Sequence, residues 1–466
     1  MHPAAVDREV LTNGYLPVAA FRHLDPTVMG LIELDRPLAL VAPGGATVLA
    51  PGGEAPITGH ADALALVRLH GEPMGVVHLA GSVSRQGCLA QAIWAQIGDA
   101  VVEHCERHGC VPPTGAEGLV DGRLAAPAAC CQGDAVPDPG ATVSLIVPTG
   151  SRAEKLVRCL RSLAVLDHPD MELMVVDNRP GDPTTKTAVD ALIAEGLTIN
   201  YVAEHRPGSS VARNRGIAES NADIVVFTDD DVVVDAGFLR WLLAPFADPV
   251  TTAATGMVLP LELETPAQKR FEQYAGFSKG IERRVFDLNR HRANGRVLYP
   301  HWGGVFGSGN SMAFRREDLV AAGGLDPALG AGSRALAGAD IEAFSAAILR
   351  GGQLVYEPRS ICWHEHRRDD DALERQIYNY GVGFGAIMTK ALLRHPWPFA
   401  RSIVRSVPIA LRLRRQRRVV PAVVEAQLPA ELSRLSTRGM LRGPQLYLAS
   451  VRWARRLELG RAIEGR

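Results

Sequence analysis

The sequence predicts an α/β protein: a domain of alternating strands and helices, a small α/β module before it and a helical region after it. Three observations carry this. From Thr142 short apolar runs alternate with amphipathic stretches, the signature of a parallel sheet. Up to about residue 110, separate apolar runs are punctuated by Gly and Pro. Beyond Asp371 the spacing is helical and the charge turns basic. The expected divisions are an N-terminal module over 1–110, a Pro/Gly/Ala-rich linker over 111–140, the sheet domain over 141–370 and a basic helical region over 371–466. A chain of 466 residues is long enough for two or three such units.

In the first module, Ala63–Leu69 and Met74–Leu79 flank His70-Gly71-Glu72-Pro73, which reads as a hairpin. Leu89, Ile93, Ile97 and Val101 then put one apolar stripe on a helix over Cys88–Cys105. Val111 to Pro139 reads as linker. In the sheet domain, Val143–Val147 is a strand ending at Pro148-Thr149, and a helix follows through Leu156, Leu160 and Leu163. Leu173–Val176 is the second strand, closing on Asp177; a helix over Thr184–Glu195 leads to a third strand, Thr198–Val202. Ser209 or Ser210 is expected to cap the next helix, which runs to about Ser220. Ile224–Phe227 is the fourth strand, and it ends in Asp229-Asp230-Asp231. Open α/β sheets bind ligands at the carboxyl ends of their strands, so Thr149, Asp177 and the three aspartates should meet at one crevice.

Bulk properties narrow the class. The composition, 47% hydrophobic and 22% charged, is that of a soluble globular chain, and a net charge of −1 gives no global reason to expect nucleic acid. Seven scattered cysteines (Cys88, Cys105, Cys110, Cys130, Cys131, Cys159, Cys362) without a C-x-x-C pair fit a reducing compartment. No basic segment followed by an apolar run opens the chain, and no apolar run is long enough to span a bilayer, so the expected location is cytoplasmic. The charge is uneven: from Ala400 onward there are fifteen Arg and four Glu, a net +11. Arg401 to Arg418 mixes seven Arg with Ile403, Val404, Val407, Ile409, Leu411 and Leu413. As an amphipathic helix it suits the anionic inner face of a membrane; packed on the sheet domain, its Arg stems would cover apolar surface instead.

Three adjacent carboxylates at a strand end repel one another and invite a multivalent cation. Strand alternation would put Asp229 and Asp231 on one side and Asp230 on the other. Hard oxygen donors suit Mg²⁺ or Mn²⁺, with positions left open for phosphate oxygens; a solvated acidic turn is the simpler alternative. Asp177 can accept from a base N–H or a ribose hydroxyl, or can make an Asx turn. Gly303 to Asn310 is Gly-rich, allowing close backbone approach to a ligand, but lacks the Gly-Lys-Ser/Thr of a phosphate-binding loop. Asp340, at the start of a helical run, is either that helix's N-cap or a general base. In Trp363-His364-Glu365-His366 one histidine could complete a metal shell or lie on the surface beside Arg367 and Arg368.

The order of these motifs is more specific than any one of them. The run VSLIVPT…VVDN…GSSVARNRGIAES…DIVVFTDDDV…FGSGNSMAFRR…GGLDPALGAG…GADIEAF…YEPRSICWHEH resembles the family 2 glycosyltransferases of GT-A fold over roughly Thr142 to Arg367. The resemblance implies a Rossmann-like mixed sheet that binds a nucleotide-diphosphate sugar (UDP-, GDP- or dTDP-linked) with Mn²⁺ or Mg²⁺. It implies that Pro148, Thr149 and Asp177 line the nucleotide pocket, with Asp229, Asp230 and Asn310 also on the donor. Asp229 and Asp231 would be metal ligands from the D-x-D element, with Asp231 the foremost; His364 would be a late metal or diphosphate contact. Asp340 would be the base of an inverting displacement onto an acceptor hydroxyl of a glycan, a lipid-linked sugar or a small molecule, in cell-surface glycan, glycolipid or secondary-metabolite glycosylation.

There are departures from the family pattern. Ala339 stands where a Glu is common, and Asp177-Asn178-Arg179-Pro180 replaces the common D-D-G-S. The Q-x-x-R-W element of processive synthases is absent, since Ala449 precedes Arg452-Trp453. Two other readings use similar residues: a nucleotidyltransferase, which would release pyrophosphate, and a nucleotide-sugar-binding protein without turnover.

Overall fold

The computed structural model describes residues 27–464 apart from 37, 44, 46, 50–61, 81–85, 123, 125–135, 167, 169, 292–297, 302, 395 and 420–428. Two sheets form. The first has strand order β3-β2-β1-β4-β5, from β1 Thr27–Glu33, β2 Leu40–Val41, β3 Thr47–Leu49, β4 Asp62–Leu69 and β5 Glu72–Ala80. β4 and β5 pair antiparallel across a two-residue turn, His70-Gly71, both with positive φ, the geometry of a type I′ hairpin. One long helix, α1 Gln86–His108, lies on this sheet and buries Leu89, Ile93, Ile97 and Val101, the stripe the spacing predicts.

The opposite face of this small sheet is not free. Met29, Leu64 and Leu66 share one buried cluster with Met257, Leu259 and Trp363 of the second sheet. Thr27 N–H donates to the Leu263 carbonyl at 3.0 Å, and Arg68 pairs with Asp235 at 3.0 Å. The expected linker is only partly one. A short 3-10 helix over Ala116–Gly122 buries Leu119, and Leu124 follows it into the core under α1; apolar side chains among the Gly and Ala override the composition.

The second sheet runs β10-β14-β11-β13-β9-β6-β7-β8, with β12 beside β14. Its strands are β6 Val143–Thr149, β7 Met171–Asp177, β8 Asn200–Ala203, β9 Ile224–Phe227, β10 Val232–Val234, β11 Thr251–Pro260, β12 Arg284–Phe286, β13 Met312–Arg315 and β14 Gln353–His364. β9, β6, β7 and β8 are parallel, while β13 pairs antiparallel with both β9 and β11, so the sheet is mixed. Helices cover both faces, which is why β6, β7 and β9 read as continuous apolar runs. On one face α2 Ala153–Leu163 buries Leu156, Cys159, Leu160 and Leu163, beside α3 Thr184–Ala194. On the other, α4 Ser209–Glu219 inserts Ala212 and Ile217. Neither Ser209 nor Ser210 caps α4. Gly208, at φ 125°, is the N-cap, and the Ser210 hydroxyl instead donates to the Leu329 carbonyl at 2.8 Å.

Short helices α5 Phe238–Leu243, α6 Pro266–Ala275 and α7 Arg316–Ala321 and the longer α8 Ala339–Leu349 complete this unit. The C-terminal region is α9 Asp370–Arg394, α10 Pro396–Val419 and α11 Ala430–Glu464. No described helix is long and apolar enough to cross a membrane. α9 and α11 meet backbone to backbone. A Cβ added at Gly381 would stand 2.1 Å from the Ser436 carbonyl oxygen, one at Gly385 2.3 Å from that of Met440, and one at Gly439 2.3 Å from that of Tyr378. Gly385→Ala is therefore expected to destabilise the protein by about 3 kcal/mol, because backbone cannot rotate aside as a side chain would. That outweighs the gain of about 1 kcal/mol that alanine brings to an isolated helix. Chemical unfolding checks the sign: a variant as stable as the parent would mean the helices do not touch here.

Candidate active site

The sheet register sets the crevice. Thr149 pairs with Asp177 and Asp177 with Ala203, so these strand ends lie side by side at the carboxyl rim. Ile146 pairs with Phe227, and the chain leaves β9 there; Asp229, Asp230 and Asp231 form the turn into β10. Strand alternation consequently does not govern the three aspartates, and their side chains part in three directions. Asp229 accepts from Arg213 at 2.5 Å and from Asn310 Nδ2 at 3.0 Å. Asp230, fully buried, accepts from the Thr149 hydroxyl at 2.6 Å. Asp231 accepts from Arg152 at 2.6 Å and lies 3.3 Å from His364 Nε2.

His364 reaches Asp231 because β14 pairs antiparallel with β10, which sets His364 opposite Val232. Behind it stands a relay. His366 Nε2 faces the buried Glu272 carboxylate at 2.5 Å, and His366 Nδ1 faces His364 Nδ1 at 2.9 Å. A carboxylate can only accept, so His366 donates to Glu272 through Nε2–H, and a neutral His366 must accept at Nδ1. His364 then donates through Nδ1–H, and its Nε2 faces Asp231 Oδ1 at 3.3 Å, where a proton on Nε2 donates to the carboxylate and a bound cation would take that proton's place. That sets an imidazole nitrogen beside an ionised carboxylate oxygen. Burial raises the Asp231 carboxyl, but His364 and Arg152 outweigh it and hold the group well below the carboxylate range.

Asp230 has the opposite balance. Burial pushes its carboxyl up to about 6, with Arg152 opposing. Its Oδ1 lies 3.1 Å from Arg152 yet is buried without an aligned hydrogen bond. A carboxyl raised in the folded state costs stability where it is ionised. Below about pH 4 folded and unfolded chains are both protonated; between about pH 4 and 6 the unfolded chain ionises first and stability falls; above 6 the cost is complete. Asp230→Asn should therefore stabilise the metal-free protein by about 2 kcal/mol above pH 6 and leave it unchanged near pH 4. Urea unfolding of both proteins across that range would show it; equal gains at both ends would rule out the titration.

Opposite the aspartates, the Gly-rich stretch passes under Asp340. Gly309 N–H donates to Asp340 Oδ2 at 2.9 Å, and next to it Asn310 donates to Asp229. Asp340 is not the helix N-cap. That place is taken by Gly338 at φ 92°, which leaves the half-buried carboxylate free to face the loop. Gly338 also lets α9 come close, since a Cβ there would meet Ile387 at 2.8 Å.

Asp177 makes the Asx turn, the alternative reading of it, at the same rim. It is 0% exposed; its Oδ1 accepts from Arg179 N–H at 2.8 Å in an Asx turn, and its Oδ2 from the Tyr201 hydroxyl at 2.8 Å. Each carboxylate oxygen thus has one donor in place. Pro148 is half-buried at the same rim.

The donor set at Asp231 and His364, with the unsatisfied Asp230 Oδ1 beside it, fits a hard divalent cation. Asp229 is paired here with Arg213 and Asn310 instead. Among the described residues, the trio of histidine and carboxylate ligand atoms lying within 4.8 Å of one another is Glu72, His104 and His108, in the other sheet's module. Arg152, whose guanidinium bridges Asp230 and Asp231, and Arg213 are site residues to which the family resemblance gave no role.

A family model described as Glycosyltransferase like family 2 matches residues 139–378, just over half of the chain. The chain belongs to this family. The pre-mycofactocin glycosyltransferase of Mycobacterium tuberculosis is 26% identical over 257 residues, covering 54% of this chain and 48% of the relative. This chain thus spans about half the length of that relative. The glycosyltransferase AglE of Haloferax volcanii is 33% identical over 91 residues, 19% of this chain and 30% of that protein. Among solved structures, the mannosyltransferase PcManGT of Pyrobaculum calidifontis, in complex with GDP-Man and Mn²⁺, aligns with a TM-score of 0.42 at 20% identity, over 68% of this chain and 88% of that one. Within this family 2 chain the matched segment holds the whole second sheet, the three aspartates, Asp340 and His364.

Proposed function

We propose that the chain transfers a sugar, with inversion, from a nucleoside-diphosphate sugar to an acceptor hydroxyl. One observation supports this above others: consecutive residues, Gly309 and Asn310, tie Asp340 and Asp229 to a single loop. A base and a leaving-group site held this way can face one another across a bound sugar. Asp340 takes the proton from the acceptor oxygen, and the Gly309 N–H fixes its orientation. Arg152, with a partly exposed guanidinium, is free to swing from Asp231 to a diphosphate oxygen. Asp231 and His364 would hold Mn²⁺ or Mg²⁺, which supplies charge neutralisation for the departing diphosphate. The relative named pre-mycofactocin glycosyltransferase makes pre-mycofactocin one acceptor to include beside glycans and lipid-linked sugars.

The test is transfer with a panel of UDP-, GDP- and dTDP-sugars and Mn²⁺, with the anomeric configuration of the product read by NMR. A product that retains the donor's configuration would sink the single-displacement reading. A cytoplasmic enzyme of this kind could also work at the inner leaflet. On α10 Trp397 is 84% and Val404 70% exposed, beside exposed Arg401 and Arg405. The side chains of Ile409, Leu411, Leu413 and the following arginines lie outside the described residues. Co-sedimentation with anionic vesicles that added salt reverses is the expected result; no binding at low salt would remove the membrane from the scheme.

A further inference from the structure

The N-terminal module carries a second cluster of ligand-type side chains. Glu72 opens β5 directly after the His70-Gly71 turn, while His104 and His108 stand one turn apart near the end of α1. One ligand atom from each of Glu72, His104 and His108 lies within 4.8 Å of the others, and the two imidazole centroids are 4.4 Å apart. His104 is 2% exposed.

Hydrogen-bond direction fixes the protons. His70 Nε2 lies 2.7 Å from the Leu124 carbonyl oxygen, which can only accept, so His70 carries its proton on Nε2. A neutral His70 then accepts at Nδ1, which lies 3.1 Å from His104 Nε2, so His104 donates through Nε2–H. This leaves His104 Nδ1 as a lone pair. It is buried, it has no aligned hydrogen bond, and it sits 3.3 Å from the Glu72 Oε2. A lone pair and a carboxylate oxygen repel at that distance unless a cation lies between them. One solution is a second proton, which would make His104 a buried imidazolium whose bond to Glu72 holds that carboxyl below its usual range. Burial of that charge is costly, and it leaves the adjacent His108 ring without a purpose.

We infer that Glu72, His104 and His108 form a binding site for a first-row divalent transition ion such as Zn²⁺. Two imidazole nitrogens and one carboxylate oxygen are the donor types such an ion prefers. His70 is the outer partner that sets the His104 tautomer, in turn anchored to Leu124. The ion would pin three pieces of chain together: the β4–β5 turn, the end of α1 and the segment carrying Leu124. Its role is structural, and its residues are separate from those proposed for sugar transfer.

The experiment uses the full chain, stripped with a chelator and titrated with Zn²⁺ and, as a spectroscopic probe, Co²⁺. The Asp231→Asn variant should bind one ion that gives imidazole-type Co²⁺ bands and that Zn²⁺ displaces, with a rise in melting temperature on Zn²⁺ addition, and the parent should bind that ion beside the one at Asp231. His108→Ala, at a half-buried position, should lose that ion and the thermal response. His70→Asn, which keeps a residue tolerant of the positive φ, should bind about 10- to 100-fold more weakly. Should the folded His70→Asn and His108→Ala variants hold Zn²⁺ as tightly as the parent, or should the parent bind none and show His104 protonated on both nitrogens by NMR, the inference is overturned.

Discussion

Asp340→Asn should leave a folded protein whose transfer rate is reduced by about 10²- to 10⁴-fold, the range a positioned general base contributes. The substitution is nearly isosteric. The Asn carbonyl oxygen can still accept from Gly309 N–H, so the 2.9 Å contact that orients the group survives. Gly338 remains the helix cap, and Lys390 still pairs with Asp326 and Glu342 at 2.8 Å each, holding α9 against α8. What is lost is the capacity to take a proton. The loss should therefore fall on kcat, with donor KM little changed, because Asp340 contacts neither Asp229 nor Asp231 among its described hydrogen bonds. Steady-state kinetics with a saturating acceptor give the split. Full activity in Asp340→Asn would remove Asp340 from the role of base; a large rise in donor KM would instead assign it to donor binding.

How much of this was legible in the sequence depends on how local each cause is. Ile224–Phe227 matches its predicted bounds, because four consecutive apolar residues between polar ones leave few alternatives for a strand covered on both faces. The helix through Leu156, Leu160 and Leu163 was equally legible from its stripe. The α4 cap was not: whether Ser210 bonds its own helix or the Leu329 carbonyl is decided 119 residues away. Asp177 shows the same limit. Its Asx turn is local, but the Tyr201 hydroxyl that closes its other oxygen comes from the neighbouring strand. The expectation that Asp229 and Asp231 share a face assumed that β9 continues through them, and it stops at Phe227. Glu272, which sets the His366 and thereby the His364 tautomer, has no sequence signature at all, lying 94 residues before its partner.

The distribution of charge in the crevice separates the three aspartates by function more sharply than their adjacency suggests. Asp229 is neutralised by Arg213 and tethers the Gly-rich loop through Asn310. Asp230 is buried against Thr149 and resists ionisation. Asp231 alone is held strongly ionised, with the His364 Nε2 beside it. A carboxylate kept charged in a buried setting must be paid for elsewhere in the fold, which is the usual mark of a functional group.

The second large effect follows from that separation. Asp231→Asn should abolish the response to Mn²⁺ and lower transfer by about 10²- to 10³-fold, the scale on which removing one charge-stabilising group acts. The amide offers a weak neutral donor oxygen in place of a charged one. Arg152 would keep one anionic partner, Asp230, at 3.1 Å, so the fold has no reason to collapse. Asp230→Asn is the matched control: it removes a carboxyl that burial already raises to about 6, and leaves the Asp231 and His364 donors in place. A thermal-shift titration of nucleoside diphosphate with and without Mn²⁺ compares the two. Asp231→Asn should lose the metal-dependent part of the shift, and Asp230→Asn should retain most of it. The reverse order would move the cation from Asp231 to Asp230, and would mean that Arg152, not His364, marks its edge.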